Sequence, residues 1–389
     1  MPGEANELLI DYVLQEKINS LKIMSLAKLN RELKEVLSKI QPVSAEHFAA
    51  MARAWNNLGK PLYAYGELEK YLSRIGAIQR STDPQLRPAA LACFVADNGI
   101  ISEGVSQSGS EVSTQVMLNM TEDKATVSLW SKYLDVDLAI FNLGCVDCSK
   151  TPAGVYDAVI CPQGTANFLR KPAMTEEECL KALLIGHATA LHLAAQGGQI
   201  LVGGEMGIGN TTSSTALICL CAGADPWEVC GRGAGLSDEN LLRKKAVIQQ
   251  AVEKYQDFRT DPLAALASVG GLDIAALCGF FLGAAQSKKV VILDGLITYA
   301  AALIACKLKP ECKDYLLPSH KPRERASQQV ANLLGIHASL DLDIALGEGA
   351  GALLLLPLLD LAKEAWAKLP CFEEANIETY IDYTEYVDD

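Results

Sequence analysis

The chain has 389 residues, half of them hydrophobic, and a formal net charge of -13. That length accommodates one large α/β domain with a smaller appendage and is too short for three ordinary domains. The acidic balance repels phosphate backbones and speaks against a nucleic-acid partner. The longest apolar stretch, Gly349 to Leu359, contains Pro357 and falls short of the ~20 residues a membrane span requires.

The opening Met1-Pro2-Gly3-Glu4 is acidic and leads into no apolar core of signal-peptide type. Helical spacing dominates the first ~75 residues. Leu21, Met24, Leu26, Leu29 and Leu33 recur at near-helical intervals with charges between them. Ser44, with Glu46 two residues on, predicts a helix N-cap. Pro61 interrupts the pattern and Gly66 marks a turn.

Near residue 85 the texture changes. Short apolar runs at Ala89–Ala96, Val136–Phe141, Ile200–Val202 and Val290–Leu293 read as buried strands. Longer helical patterns lie between and after them, at Thr175–Gln196, Asp238–Tyr255 and Leu296–Leu308. Buried strands alternating with helices predict an α/β fold with a parallel sheet of about six strands, flanked by helices on both faces. The expected division is a mainly helical small domain over residues 1–78, joined by a C-terminal helix at about 360–389, and an α/β domain over 79–359. The tail after Glu373 reads as a solvated acidic end. The twelve cysteines mostly sit singly in apolar runs, as Cys93, Cys219 and Cys278 do, which predicts a reduced, cytoplasmic protein. Cys145-Val-Asp-Cys148 lacks a second ligand pair and reads as loop packing. His187 and His192, five apart, do not form a metal set and read as helix-packing residues.

In such sheets ligands gather at the carboxyl ends of the strands. Glycines and acids lie there: Asp97-Asn98-Gly99, Gly203-Gly204-Glu205 and Asp294-Gly295. The segment 203–212, Gly-Gly-Glu-Met-Gly-Ile-Gly-Asn-Thr-Thr, combines a glycine loop with a helix start, a natural anion cradle. It superficially resembles a Walker A loop, but Asn210 stands at the lysine position, which argues against ATP hydrolysis. A plain tight turn is the alternative, and Glu205 and Asn210 are more polar than a turn needs. A second cluster, Gly231-Arg-Gly-Ala-Gly235, precedes Arg243-Lys244-Lys245; Lys244 could meet a phosphate held by the loop, or belong to a solvated basic face. In Leu346-Gly-Glu-Gly-Ala-Gly351, Glu348 lies between glycines at an expected strand–helix junction, where apolar surroundings would raise its pKa and suit a general base. Asp97 is a further acid in reach of the same face.

Taken together, these segments resemble the nicotinate-nucleotide–dimethylbenzimidazole phosphoribosyltransferase family, from about Leu58 to about Phe372. The carrying motifs are Gly-Glu-Met-Gly-Ile-Gly-Asn-Thr-Thr at 204–212, Gly164-Thr-Ala-Asn167, Pro172-Ala-Met-Thr175, Val269-Gly-Gly271, Asp294-Gly295 and Leu346-Gly-Glu-Gly349. The resemblance implies a Rossmann-like parallel sheet with a small helical domain, a dimer, either of two copies or with a paralogue, and no metal or redox cofactor. It implies displacement at ribose C1′ of nicotinate mononucleotide: nicotinate leaves and an aromatic base attacks from the opposite face, inverting β to α. Glu348 matches the family's general base and Glu205 a second acid near the ribose. Lys244, Gly233 and Gly295 match residues around the phosphate. Asp97, Ser106, Ser110 and Met206 are further substrate-binding candidates, as are Gly207, Gly209, Asn210, Ala234 and His320.

The departures are specific. The family's Val-Ser-x-x-Pro-Gln-Glu-Val-Thr is Val105-Ser-Gln-Ser-Gly-Ser-Glu-Val-Ser113, with Ser110 at the glutamine. Tyr63-Ala64 replaces a Gly-Ser, Ala234 a threonine, Pro322 a serine, and Ala345 an arginine. Either the acceptor is unusual, a phenol rather than a benzimidazole, or the chain is a weakly active or non-catalytic supporting subunit of a two-chain enzyme. A non-catalytic binding module is a third reading.

Overall fold

The structure, a computed structural model, describes residues 10–383. Four helices come first: α1 (Tyr12–Lys22), α2 (Leu26–Lys39), α3 (Ala45–Asn56) and α4 (Glu67–Gln79). Ser44 caps α3 as expected, its hydroxyl accepting from the His47 N–H. The spacing through Leu21 and Leu33 is shared by two helices, separated at Ile23–Ser25, which bury Leu14, Ile18 and Leu21 from one and Leu29, Leu33 and Val36 from the other.

The α/β part continues with β1 (Ala89–Ala96), α5 (Glu111–Thr121), α6 (Thr126–Tyr133), β2 (Val136–Gly144), β3 (Val155–Asp157), α7 (Glu176–Ala195) and β4 (Ile200–Met206). Then come α8 (Asn210–Ala222), α9 (Pro226–Val229), α10 (Asp238–Lys254), α11 (Pro262–Val269), α12 (Leu272–Gln286), β5 (Val290–Leu293) and α13 (Leu296–Leu308). The chain closes with β6 (Leu316–Pro318), α14 (Arg325–Leu334), α15 (Ala350–Leu353) and α16 (Leu355–Lys368). The last helix ends ahead of Pro370, far short of the residue 389 expected for it. Leu369 is extended, as a residue before proline must be. Residues 369–383 follow as turns and coil, and the rest of the acidic tail, like Met1-Pro2-Gly3-Glu4, lies outside the described residues.

The six strands are all parallel, in the order β3-β2-β1-β4-β5-β6. The four apolar runs form the inner strands β1, β2, β4 and β5. The edges β3 and β6 are three residues each, too short to show as runs. Chain direction across the sheet reverses between β1 and β4, so the crevice for a ligand opens at their carboxyl ends. Every residue of β1 is buried, as expected for a strand covered on both faces.

One face is covered by α12, with α7 laid over it at backbone contact. A Cβ at Gly279 would sit 1.7 Å from the Leu183 carbonyl oxygen, and one at Gly186 would sit 1.8 Å from that of Ala276. α7 begins with a reciprocal cap between Thr175 and Glu178. His187, on α7, is buried and pairs with Gln286, the packing role expected of it. Cys145 is buried in the loop after β2, and Cys148 accepts from the Asn142 amide. Among the described residues no helix is long and apolar enough to cross a membrane.

The α7–α12 contact generates a prediction in which two effects oppose. Gly279→Ala should gain about 1 kcal/mol of helix propensity, but the methyl overlaps backbone that cannot rotate away. Overpacking of about 1–3 kcal/mol should win. Urea denaturation is expected to show net destabilisation; a variant as stable as wild type would mean the helices separate freely.

Candidate active site

The site is assembled at the carboxyl ends of β4 and β5 around a cavity of about 300 Å³. β4 ends in Gly203-Gly204-Glu205-Met206, and successive residues face opposite sides of the sheet. A Cβ on Gly203 would meet Leu277 and Phe281 of α12. One on Gly204 would sit 2.1 Å from the Glu348 carbonyl oxygen. Only glycine lets the 347–349 segment lie directly on the strand, where the Glu348 N–H donates to the Glu205 carbonyl at 3.1 Å. Glu348 has a φ of +67° and Gly349 one of +84°. The left-handed conformation at Glu348 costs about 1–2 kcal/mol, which its surroundings offset. The expected strand before this glutamate is absent: residues 341–347 are coil, with Asp341 and Asp343 paired to Lys321 and Arg323, and the chain reaches β4 only at 347–349.

Acids gather here. Glu205 and Glu348 both line the cavity, and burial pushes both carboxyls up from their ordinary value. For Glu205 the neighbouring Asp273 and Asp294 add to the effect. The Asn210 amide, first residue of α8, donates to Glu205 Oε2 and to Asp273 Oδ2, the latter at 2.8 Å. It thereby bridges two buried carboxylates. Burial raises Asp273 to about 6 and Asp294 to about 7. The Val127 N–H, at the start of α6, bears on the Glu348 carboxyl, and its Oε2 is buried with no hydrogen-bond partner among the described residues.

A cationic group lines the same cavity. Lys244, on α10, is 1% exposed, and its Nζ donates to Thr211 Oγ1 at 3.0 Å. Burial lowers its pKa. Among the described residues no carboxylate lies within ion-pair distance of it. The loop 231–235 reaches it: a Cβ on Gly233 would sit 3.5 Å from Nζ. The helices α8 and α13 both begin at the cavity with glycine N-caps, Gly209 and Gly295, and no side-chain cap. Their first-turn N–H groups and dipoles add to the positive potential.

The cavity lining contains Ser106, Met206, Gly207, Gly209, Asn210 and Gly233 of the expected residues, and Ala234, Lys244, Gly295 and His320 as well. The His320 Nδ1 is 2.8 Å from Ser319 Oγ. Two candidates lie outside the lining. Asp97 points toward the end of β2, where its Oδ2 accepts from the Val146 N–H at 2.8 Å. Ser110 has entered the start of α5, where its carbonyl accepts from Ser113. The wall is made by Val105, Ser106 and Gln107 instead, Gln107 crossing to donate to the Gly235 carbonyl. Asp273, Asp294 and Glu324 were missed as site residues. The first follows Val269-Gly-Gly271 and the second is the acid of Asp294-Gly295, so both signals were present. Glu324 accepts from the Gly233 N–H at 3.0 Å and so braces the loop below Lys244.

Raised acids have a consequence for stability. Asp273 titrates at about 6 in the fold, against about 3.9 in an unfolded chain. Between those values the folded state binds the extra proton, so this group's stabilising contribution is lost as pH rises. Asp273→Asn keeps an acceptor for Asn210 without the charge. Its stability relative to wild type should improve as pH increases from about 4 to about 6. Urea midpoints measured across that range check this; a constant difference would mean Asp273 is not raised.

The pattern of the phosphoribosyltransferase family DBI_PRT matches residues 40–377. The nicotinate-nucleotide–dimethylbenzimidazole phosphoribosyltransferase of Ruminiclostridium cellulolyticum is 36% identical over 346 residues, 89% of this chain and 98% of that protein. The enzyme of the same name from Alkaliphilus metalliredigens is 37% identical over 346 residues, 89% of this chain and 99% of its own length. The crystal structure of CobT from Thermus thermophilus superposes with a TM-score of 0.81 at 35% identity, covering 86% of this chain and all of that one. With a parallel sheet, a buried lysine at paired helix N-termini and a glutamate base candidate in one cavity, this chain belongs to the phosphoribosyltransferase family of these nicotinate-nucleotide–dimethylbenzimidazole enzymes.

Proposed function

We propose that the cavity binds nicotinate mononucleotide and transfers its ribose 5-phosphate to a cobamide lower-ligand base of the benzimidazole type. The observation that carries this reading is Lys244. A buried ammonium without a carboxylate partner is unfavourable unless a ligand brings the negative charge. The N-termini of α8 and α13 favour the same kind of ligand. The phosphate is assigned to Lys244, Gly233 and Gly295. The ribose then extends toward Glu205 and Glu348, and apolar Val105, Leu236, Ile297 and Leu346 are available to face aromatic rings.

In this reading the chemistry at C1′ balances simply. The bond from C1′ to the nicotinate ring nitrogen breaks, and its electron pair neutralises the positive ring. A bond from the acceptor ring nitrogen to C1′ forms on the opposite face, and the acceptor's N–H proton passes to Glu348. Burial makes Glu348 a stronger base than an exposed carboxylate. Glu205, placed near the ribose in this reading, favours the positive charge that the ribosyl group carries as the bond breaks. Most of the rate comes from holding the reactants in line.

The supporting-subunit reading loses ground, because Glu348, Glu205, Asn210 and Lys244 are all present and line one cavity. The phenolic alternative rests on the loss of the family's glutamine at Ser110, whose side chain stays outside the lining. The benzimidazole acceptor is the one we adopt, because the relatives reported above are dimethylbenzimidazole enzymes. Ala234 and Pro322 do line the cavity, so the wall beside the phosphate offers fewer hydroxyl donors than in relatives with threonine and serine there.

Two substitutions test the reading. Glu348→Gln should lower kcat by roughly 10²–10⁴ while nicotinate mononucleotide binding changes little. A variant within about threefold of wild type would remove Glu348 from the base role. Lys244→Ala should weaken nicotinate mononucleotide by about 1.5–3 kcal/mol, a tenfold to hundredfold rise in Kd. Titration with nicotinate riboside, which lacks the phosphate, should show no such loss; equal losses for both ligands would make Lys244 structural.

A further inference from the structure

One buried acid of the cavity has no part in the chemistry just described. Asp294 follows β5 and is 3% exposed. Its Oδ2 accepts the Gly349 N–H at 3.2 Å, and the N–H groups of Ala352 and Gly295 also bear on it. Its Oδ1 has no partner among the described residues. It is held from the far side by Gly351, where an added Cβ would lie 2.5 Å from Asp294 Oδ1 and 2.5 Å from His320 Cε1.

The residues that Asp294 contacts are informative. α15 starts at Ala350 with Gly349 as its N-cap, a residue without a side chain to cap anything. Asp294 supplies from another element the carboxylate that an aspartate at that position would provide. Immediately before the cap is Glu348, in the left-handed conformation that non-glycine residues avoid. Strain of this kind persists only where surrounding contacts over-determine it. The contacts here are the Glu348 N–H to Glu205, the seat on Gly204, and the Asp294 bond to Gly349. The first two hold Glu348 to the sheet, and the third fixes the turn that follows.

We propose that Asp294 is a positioning residue for Glu348: by anchoring the Gly349 N–H it fixes the left-handed turn that holds Glu348 in the cavity lining. The proposal rests on the reading of Glu348 as the base. Asp294 need not touch the reacting atoms. Burial raises its carboxyl to about 7, so a merely stabilising group at this place would be better as an amide or a hydroxyl.

The experiment is steady-state kinetics with nicotinate mononucleotide and dimethylbenzimidazole, on Asp294→Ala, Asp294→Asn, Glu348→Gln and the double variant Asp294→Ala with Glu348→Gln. Misaiming a base by about an ångström should lower kcat in Asp294→Ala roughly tenfold to hundredfold, with KM for nicotinate mononucleotide within about threefold. Asp294→Asn can still accept the Gly349 N–H and should recover to within about fivefold of wild type. In the Glu348→Gln background, where no base remains to be aimed, Asp294→Ala should cause no loss beyond about twofold. Gly351→Ala presses on Asp294 from the other side and should show the same pattern, which covers the case of an Asp294→Ala protein that does not fold. An undiminished kcat in either perturbed variant overturns the proposal. So does an equal loss in both backgrounds, or an Asp294→Asn variant as impaired as Asp294→Ala. Near-normal turnover by Glu348→Gln alone would instead remove the base reading, a result separate from any of these.

Discussion

Backbone contact between Gly204 and Glu348 is the constraint on which the site depends. A parallel sheet normally presents side chains to whatever covers it, and the covering segment stays a side chain's length away. At Gly204 that layer is missing, so a loop from more than a hundred residues later in the chain rests directly on β4. The neighbouring Gly203 does the converse on the other face, admitting Leu277 and Phe281 of α12 into close contact. The adjacent glycines therefore seat the buried helix layer on one side and the Glu348 loop on the other. Because β4 borders the point where strand order reverses, the glutamate arrives where an open α/β sheet has its crevice.

The electrostatics of the cavity follow from packing unlike charges in a low-dielectric space without pairing them. Glu205, Asp273, Asp294 and Glu348 raise one another or are raised by burial, and Asn210 shares its amide between two of them. Lys244 is held nearby by a hydroxyl, Thr211, and not by a carboxylate. Lys244 lines the same cavity as Glu205, Asp294 and Glu348 and, among the described residues, forms an ion pair with none of them. α10 and the 231–235 loop hold it at Thr211 and Gly233, so the ammonium stays without a carboxylate partner among the described residues while burial keeps the Glu348 pKa raised. A substrate with a phosphate at one end and a positively charged ring near the other complements that division, and the net charge of -13 does not oppose it because the positive potential is local.

Residue order alone determined a good deal. The inner strands β1, β2, β4 and β5 were legible because a strand covered largely on both faces reads as an apolar run. α7 and α10 were legible because their caps and spacing are local, and α13 because it is a long apolar run opened by Gly295. The glycine clusters, Glu205, Glu348 and Lys244 were legible as candidates, since glycine loops at strand ends have few other uses and the order of motifs resembles one family. Tertiary structure decided the rest. The edges β3 and β6 depend on neighbours for their pairing, so three residues of sequence could not announce them. Asp97 and Ser110 have suitable chemistry and sit near the right strand end, but one is drawn to the Val146 N–H and the other into α5, which places both outside the cavity lining. Conversely, Asp273 and Asp294 were passed over because an acid's role here depends on which N–H groups and carboxylates meet it in space. Direction and partners of a side chain are set by contacts between segments far apart in the chain, and no local pattern records them.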